Sequence, residues 1–373
     1  MKLLYLSDRC DGVASYGINK KIADQIKAFE NYGYDVYHAK FQTDDDGVYC
    51  LGIWKNDTCL TKINMSGKFI IKIIQSRKAA RFISRFCSEN EISVIYARAP
   101  YTLILYFIKY FCNKIFIYME VPTYPFRQEL KDDLKSKIIY FIISCINKTH
   151  RYAVSAIITY SDHKFIYKIP CINISNGINV NGMPLVIKKN HEEIVFTAVS
   201  AIESWHGIDR FLKSLAIYGK SGVKFNIVGI GVDMQRLKDI ADQNGYLRQI
   251  TIFHGFKSGK ELYAIYNETD IAIGCLGCHR AGLKSAHSLK NREYCAAGIP
   301  MVYSENDQLL DNADFVYKVS PDESLIDIDS IISWYKNLNM PPEEIRKFAC
   351  EHLSWEKQLE PVVKSLELTT HSA

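Results

Sequence analysis

Between Asp270 and Val302 the chain reads D-I-A-I-G-C-L-G-C-H-R-A-G-L-K-S-A-H-S-L-K-N-R-E-Y-C-A-A-G-I-P-M-V. The apolar run ending near Gly274 predicts a strand. A helix is predicted from Ser288 to Ala297, stopped by Gly298 ahead of Pro300. The first turn of such a helix carries unpaired N–H groups and the positive end of its dipole, which suits a phosphate. Arg280, Lys284, Lys290 and Arg292 add positive charge nearby. Glu293, a turn or so into the helix, can accept two hydrogen bonds from vicinal ribose hydroxyls. The plainer alternative is a solvated basic loop with Ser288 as an ordinary N-cap.

Other segments carry weaker chemistry. Val228-Gly229-Ile230-Gly231 ends a strand and opens a helix, but Met234 holds the place of a third glycine. The following strand, Ile250-Thr251-Ile252-Phe253, ends on no acidic residue, so nicotinamide binding is disfavoured and the glycines are expected to permit close strand-to-helix packing. Cys275 and Cys278 form a C-x2-C pair. A zinc site would need two more ligands at sensible spacing, and no metal is expected. Glu120, at the end of the predicted strand from Lys114 to Met119, is a candidate base toward an acceptor hydroxyl; pairing with Arg98 is the structural alternative.

Glu293-Tyr294-Cys295-Ala296-Ala297-Gly298-Ile299-Pro300 resembles the E-a-x-A-x-G-x-P-V block of the retaining, nucleotide-sugar-dependent glycosyltransferases of family 4. Trp205-His206-Gly207-Ile208-Asp209-Arg210 and Leu289-Lys290-Asn291-Arg292-Glu293-Tyr294 resemble bacterial surface-polysaccharide members. The resemblance covers nearly the whole chain. It implies the GT-B fold, an α/β architecture of two facing Rossmann-like domains with parallel sheets. It also implies transfer of a sugar from a nucleoside diphosphate donor to a hydroxyl of a lipid-linked glycan.

Residue by residue, the resemblance places Glu293 on the donor ribose. Ser285 stands where family members have a second glutamate near the donor sugar. Backbone N–H groups of Ala286, His287, Ser288 and Leu289 would cradle the diphosphate. Ser200 and His206 replace the usual Arg and Lys on the phosphates, with Gly207 kept. A phosphate would favour a protonated His206, and Lys290 or Arg280 could supply fixed charge. Arg210 and Phe256 complete the donor candidates, Phe256 toward the base edge. Gly12 and Gly17 match a glycine loop near donor and acceptor, and Glu120 stands where members often have a histidine. Asn176-Gly177-Ile178-Asn179 matches a structural N-G-(V/I)-D turn. No divalent ion is implied, because the helix dipole and cationic side chains stabilise the leaving diphosphate.

The elements that must position these residues alternate β-rich runs with amphipathic helical stretches, the rhythm of parallel sheets covered by helices. It restarts after Asn190-His191-Glu192. The predicted domains are residues 1–185, joined by a C-terminal helix over about 355–368, and residues 186–354. Pro361 is expected to kink or interrupt that helix, and Trp355 to anchor it. At 373 residues, 48% hydrophobic and 23% charged, the chain suits two globular domains. A net charge of +5 is too small to imply nucleic-acid binding. The odd cysteine count shows no framework spacing, so most cysteines read as small buried hydrophobes in a reducing compartment.

No apolar run approaches the length of a membrane span, and the N-terminus reads as a first strand rather than a signal peptide, which predicts a cytoplasmic protein. Thr58 to Ser88 has no acidic residue but carries Lys62, Lys68, Lys72, Arg77, Lys78, Arg81 and Arg85 among apolar residues. A basic amphipathic helix over about 66–87 is predicted, suited to the inner face of an anionic membrane; a core-facing helix with a solvated basic face is the alternative. The rival functions are a catalytically degenerate nucleotide- or glycan-binding subunit and a tandem-Rossmann oxidoreductase or epimerase, the latter lacking its fingerprint.

Overall fold

The computed structural model describes residues 1–7, 16–43, 46–65, 72–98, 102–122, 124, 148–187, 192–282 and 287–371. They form two compact units, Met1–Ser175 with Gln358–Ala373, and Asn176–Lys357. The division at Ser175 precedes the expected one at 185. Ile178, Val180, Met183 and Val186 all sit in the apolar core of the second unit, where the Ile178 N–H donates to the Leu353 carbonyl. Nothing in local composition marks that packing.

In the first unit, parallel strands β1 (Lys2–Ser7), β2 (Asp35–Thr43), β5 (Val94–Arg98), β6 (Phe116–Val121), β7 (Ala156–Thr159) and β9 (Ile169–Asn173) make the body of a nine-stranded sheet. Its order is β4-β3-β2-β1-β5-β6-β7-β9-β8, with β3 (Tyr49–Lys55), β4 (Thr58–Asn64) and β8 (Phe165–Ile166) antiparallel. Strand β4 occupies the start of the predicted basic run, so Lys62 is on a strand. Asn56 and Asp57, at φ 47° and 62°, form the two-residue turn that a right-twisted hairpin favours. Helices α1 (Tyr16–Asn31), α2 (Lys72–Glu89) and α3 (Thr102–Phe111) complete the described layers.

Helix α2 corrects the expected membrane mode. Its apolar residues Ala79, Ala80, Ile83 and Phe86 lie inside the core of the first unit. Arg77, Lys78, Arg81 and Arg85 are exposed. Among the described side chains of the helix, this apolar face is taken by the core rather than left for lipid. Lys68 falls outside the described residues.

The second unit is a six-stranded parallel sheet of order β12-β11-β10-β13-β14-β15. Its strands are β10 (Ile194–Val199), β11 (Val223–Val228), β12 (Thr251–Gly255), β13 (Ile271–Ile273), β14 (Met301–Tyr303) and β15 (Val316–Lys318). That is the 3-2-1-4-5-6 order of a doubly wound sheet, whose ligands bind outside the carboxyl ends of the strands where the order reverses. Here the reversal lies between β10 and β13. Helices α4 (Ile208–Tyr218), α5 (Met234–Asp242), α6 (Gly245–Ile250), α7 (Gly259–Asn267), α8 (Leu289–Ala297), α9 (Ile328–Asn337) and α10 (Pro342–Phe348) follow in chain order.

The last helix, α11 (Trp355–His371), runs through Pro361 without interruption. From Gln358 onward it belongs to the first unit, where the Tyr118 hydroxyl hydrogen-bonds Ser365 and Thr369 at 2.9 and 3.0 Å. Trp355 is 1% exposed, and a Cβ added to Gly177 would sit 2.7 Å from its ring, so the indole is an anchor within the second unit.

Candidate active site

The reversal point of the second sheet gathers three segments: residues 200–207 after β10, residues 274–282 after β13, and the amino end of α8. Gly207, at φ 68°, joins a short 3-10 turn to α4. A Cβ there would lie 2.7 Å from the backbone of Leu276 and of Gly277. The Leu276 N–H donates to the His206 carbonyl at 2.9 Å, so the loops after β10 and β13 are sutured backbone to backbone. Gly229 sits at φ 134°, and a Cβ would come 1.8 Å from the Ser200 carbonyl oxygen. Gly229 and Gly231 thus admit the backbone of the loop after β10, at Ser200 and Ile202, rather than the expected strand-to-helix packing.

Helix α8 starts at Leu289 with Ser288 as its N-cap residue in extended conformation, and the Ser288 side chain makes no cap hydrogen bond. The next positions divide by face. Asn291, Arg292, Tyr294 and Cys295 are buried, whereas Leu289, Lys290 and Glu293 are half-buried and share the other face. Lys290 and Glu293 thus lie one turn apart on the side away from the core. His287 precedes them, and its carbonyl accepts the Asn176 amide at 2.6 Å. That bond gives the N-G-I-N turn its structural task.

The cations that the sequence places nearby separate sharply. Arg292 is wholly buried, ion-paired with Asp307 and donating to the Asn176 carbonyl at 3.1 Å. Arg280 is held by Asp209 at 2.7 Å, by Glu323 at 2.6 Å and by the Ser204 carbonyl at 2.8 Å, which raises its pKa further. Arg210 is 2% exposed and donates to the carbonyls of Leu276, Ser320 and Ser324 at 3.1, 2.7 and 2.7 Å. Arg210 and Arg280 are therefore braces for the loops in this structure, contrary to their expected place on the donor. Each has all three of its nitrogens engaged by protein oxygens. Lys290 stays on the outward face.

His206 also departs from expectation. Its Nδ1 accepts the Glu203 N–H at 3.3 Å, and Trp205 packs against its ring at 3.9 Å between centroids. Burial first, and then the charge of Lys290, depress its pKa to about 2. Without a donor in place the imidazole is neutral, and only a nearby phosphate would favour its charged form. Phe256, just past β12, is 42% exposed.

In the first unit, Glu120 ends up fully buried at the carboxyl end of β6, opposite Arg98 in register. It accepts from Gln25 at 2.9 Å, Tyr96 at 2.7 Å and Arg98 at 3.1 Å, and Lys21 pairs with it at 3.1 Å. Burial works against its charge, but Lys21, Arg98 and the two neutral donors outweigh it and hold the pKa at about 2. Lys21 is pulled the other way, down to about 8, because burial exceeds the attraction of Glu120. Such a carboxylate is a poor proton acceptor at neutral pH. The Arg98-paired alternative describes its surroundings, with Lys21, Gln25 and Tyr96 as partners that nothing in the spacing signals. Gly17 is the second residue of α1, and no described residue lies within 4 Å of where its Cβ would be. Gly12 and Ser285 lie outside the described residues.

One cluster under α8 has no counterpart among the expected donor contacts. Cys275 and Cys278 Sγ atoms are 3.0 Å apart. Glu305, after β14, lies with them in a group whose ligand atoms are all within 4.8 Å of one another. Burial and the neighbouring Cys275 push the Glu305 carboxyl up to about 8.

Comparison with known proteins defines the class. Residues 185–312 match the family model of glycosyl transferases group 1. The two-sheet architecture is that of GT-B glycosyltransferases. The matched segment and the fold together support a glycosyltransferase. No curated protein matches the chain in sequence. Among solved structures it is similar to a sucrose-phosphate synthase from Thermosynechococcus elongatus (TM-score 0.68, 12% identity, 100% of both chains covered). It is also similar to a glycosyltransferase from Rickettsia africae (TM-score 0.69, 13% identity, 98% of this chain and 97% of that one). A third similar structure is Anabaena HepE in complex with UDP (TM-score 0.62, 13% identity, 98% of this chain and 100% of that one). At these identities the likeness speaks for the fold.

Proposed function

We propose that the protein is a retaining, family 4 type glycosyltransferase that takes a nucleoside diphosphate sugar and glycosylates a lipid-linked glycan during surface-polysaccharide synthesis. The observation that carries this reading is the amino end of α8. It lies next to the reversal point of a 3-2-1-4-5-6 sheet, inside the segment that matches glycosyl transferases group 1. The helix N-terminus and Lys290 receive the diphosphate, and Glu293, on the same face, takes the ribose hydroxyls. His206, stacked on Trp205, contributes shape to the site, and the diphosphate would favour its protonated form. That HepE was crystallised with UDP supports a uridine nucleotide as the first donor to try.

Two features of the first unit support the acceptor side. A groove of about 740 Å³ is lined by α1, β2 and β3, with Asn19, His38, Gln42, Trp54 and Asn56 offering an aromatic ring and planar polar groups of the kind that hold sugars. Arg77, Arg81 and Arg85 stand exposed on α2, and Tyr106 and Tyr110 on α3. That pairing suits electrostatic contact with an anionic lipid surface without helix insertion. Among the described residues no helix is long and apolar enough to cross a membrane.

The test is a panel of nucleoside diphosphate sugars screened by thermal stabilisation, followed by product analysis with the one that binds. Stabilisation by one donor, lost in Glu293→Ala, is the expected result. A chain indifferent to every nucleotide, or stabilised equally with Glu293→Ala, would overturn the assignment.

A further inference from the structure

Buried carboxylates with an unengaged oxygen are rare, because the lost hydration is not repaid. Glu305 is such a group. It is 2% exposed; its Oε1 accepts the Asn291 amide at 2.9 Å, and its Oε2 has no hydrogen-bond partner. Facing it are two thiols that are also nearly inaccessible, Cys275 at 2% and Cys278 at 1%. Cys275 and Cys278 as small core hydrophobes account for the sulfurs but leave the carboxylate unexplained.

We propose that Cys275, Cys278 and Glu305 bind a thiophilic divalent cation, zinc being the one their donor set fits. Two sulfurs and one carboxylate oxygen are ligands of tetrahedral zinc sites. The Trp205 carbonyl oxygen, 3.1 Å from Cys275 Sγ, offers a fourth. Zinc–sulfur bonds of about 2.3 Å at a tetrahedral angle separate the sulfurs by about 3.8 Å, so the pair must open by roughly 0.8 Å. That is a side-chain adjustment. Asn291 supplies the outer-shell hydrogen bond that orients the carboxylate and turns Oε2 to the metal. On binding, each thiol and the Glu305 carboxyl, which burial keeps largely protonated at neutral pH, give their protons to solvent as the metal–ligand bonds form, and no electron changes hands. Two thiolates and a carboxylate leave the complex one negative charge, beside Lys290, whose charge acts on all three groups.

The site would tie the loop after β13 to the segment after β14, directly beneath α8. It is structural and takes no part in the departure of the diphosphate. The sequence shows only the C-x2-C half of it, since the third ligand lies beyond the next helix and strand. The inference involves the second unit alone and does not depend on which donor the protein uses.

The experiment uses the full chain, purified under reductant, stripped with a chelator and titrated with Co²⁺. One equivalent should produce a thiolate-to-cobalt charge-transfer band, and Zn²⁺ should bleach it. Cys275→Ser and Cys278→Ser should abolish the band, whereas Cys59→Ser and Cys350→Ser, at exposed positions, should keep it. Glu305→Gln should keep the band and weaken Co²⁺ affinity by roughly tenfold to a hundredfold. Should the core variants misfold, alkylation of the unsubstituted chain in urea near its unfolding midpoint decides, because the two buried thiols react only on opening: bound Zn²⁺ must protect Cys275 and Cys278 but leave Cys59 and Cys350 reactive. No band at one equivalent, a band indifferent to both core cysteines, or no zinc-dependent protection would each overturn the proposal.

Discussion

Replacing Glu120 by Gln should weaken the first unit by on the order of 3 kcal/mol. The magnitude follows from two routes. The carboxyl titrates at about 2 in the folded chain against an ordinary 4.5, and a tenfold change in proton affinity corresponds to about 1.4 kcal/mol. Independently, removing one partner from a buried ion cluster costs roughly 3–5 kcal/mol, because the other charges stay behind unpaired. Arg98 would be left charged and largely buried. Lys21, already at about 8, would shed its proton near neutrality, which limits its share. The sign with pH is determinate. Glu120 has a depressed pKa in the folded state, so its contribution is present above about 4.5 and is lost as pH falls toward 2. Urea unfolding of the whole chain, followed for the first unit at pH 7 and at steps down to about pH 3, would show a declining midpoint in the parent and a flatter one in Glu120→Gln. Adding Lys21→Met should recover part of the loss. A Glu120→Gln protein of unchanged stability that binds donor normally yet has no turnover would refute the bracing role and restore the carboxylate as base.

Further outcomes follow from the same geometry. Glu293→Ala should cut nucleoside diphosphate affinity by roughly tenfold to a hundredfold, the loss of hydrogen bonds from ribose hydroxyls to a carboxylate, measured by calorimetry. Gly229→Ala should unfold the second unit at markedly lower denaturant, by at least about 3 kcal/mol, since its methyl would meet the Ser200 carbonyl; an unchanged midpoint would contradict the loop packing. Reversing Arg77, Arg81 and Arg85 to Glu should abolish sedimentation with anionic vesicles while leaving the melting temperature nearly unaltered, because these side chains lie outside the core. Binding that survives the reversal would remove α2 from the membrane reading.

Hydrophobic period and turn residues were enough to read the βα alternation of the second unit. Helix α4 falls where its periodicity predicts it, and the glycine stop at Gly298 ends α8 as expected. These are local properties: a 3.6-residue repeat and a left-handed cap are written in neighbouring residues. The L-K-N-R-E-Y run likewise places Lys290 and Glu293 on one face of one helix, which needs no tertiary knowledge. The charge of a site is different in kind. Four cations near α8 look equivalent along the chain, yet Arg280 is claimed by Asp209 and Glu323, and Arg292 by Asp307. The parallel register sets Glu120 beside Arg98 across 22 positions of sequence. The same long-range folding delivers Glu305 to Cys275 and Cys278. Residue order alone determined which segments could become strands, helices and anion-binding termini. Only the packed structure decided which charges remain available, because pairing and burial depend on distances between segments that the chain brings together last.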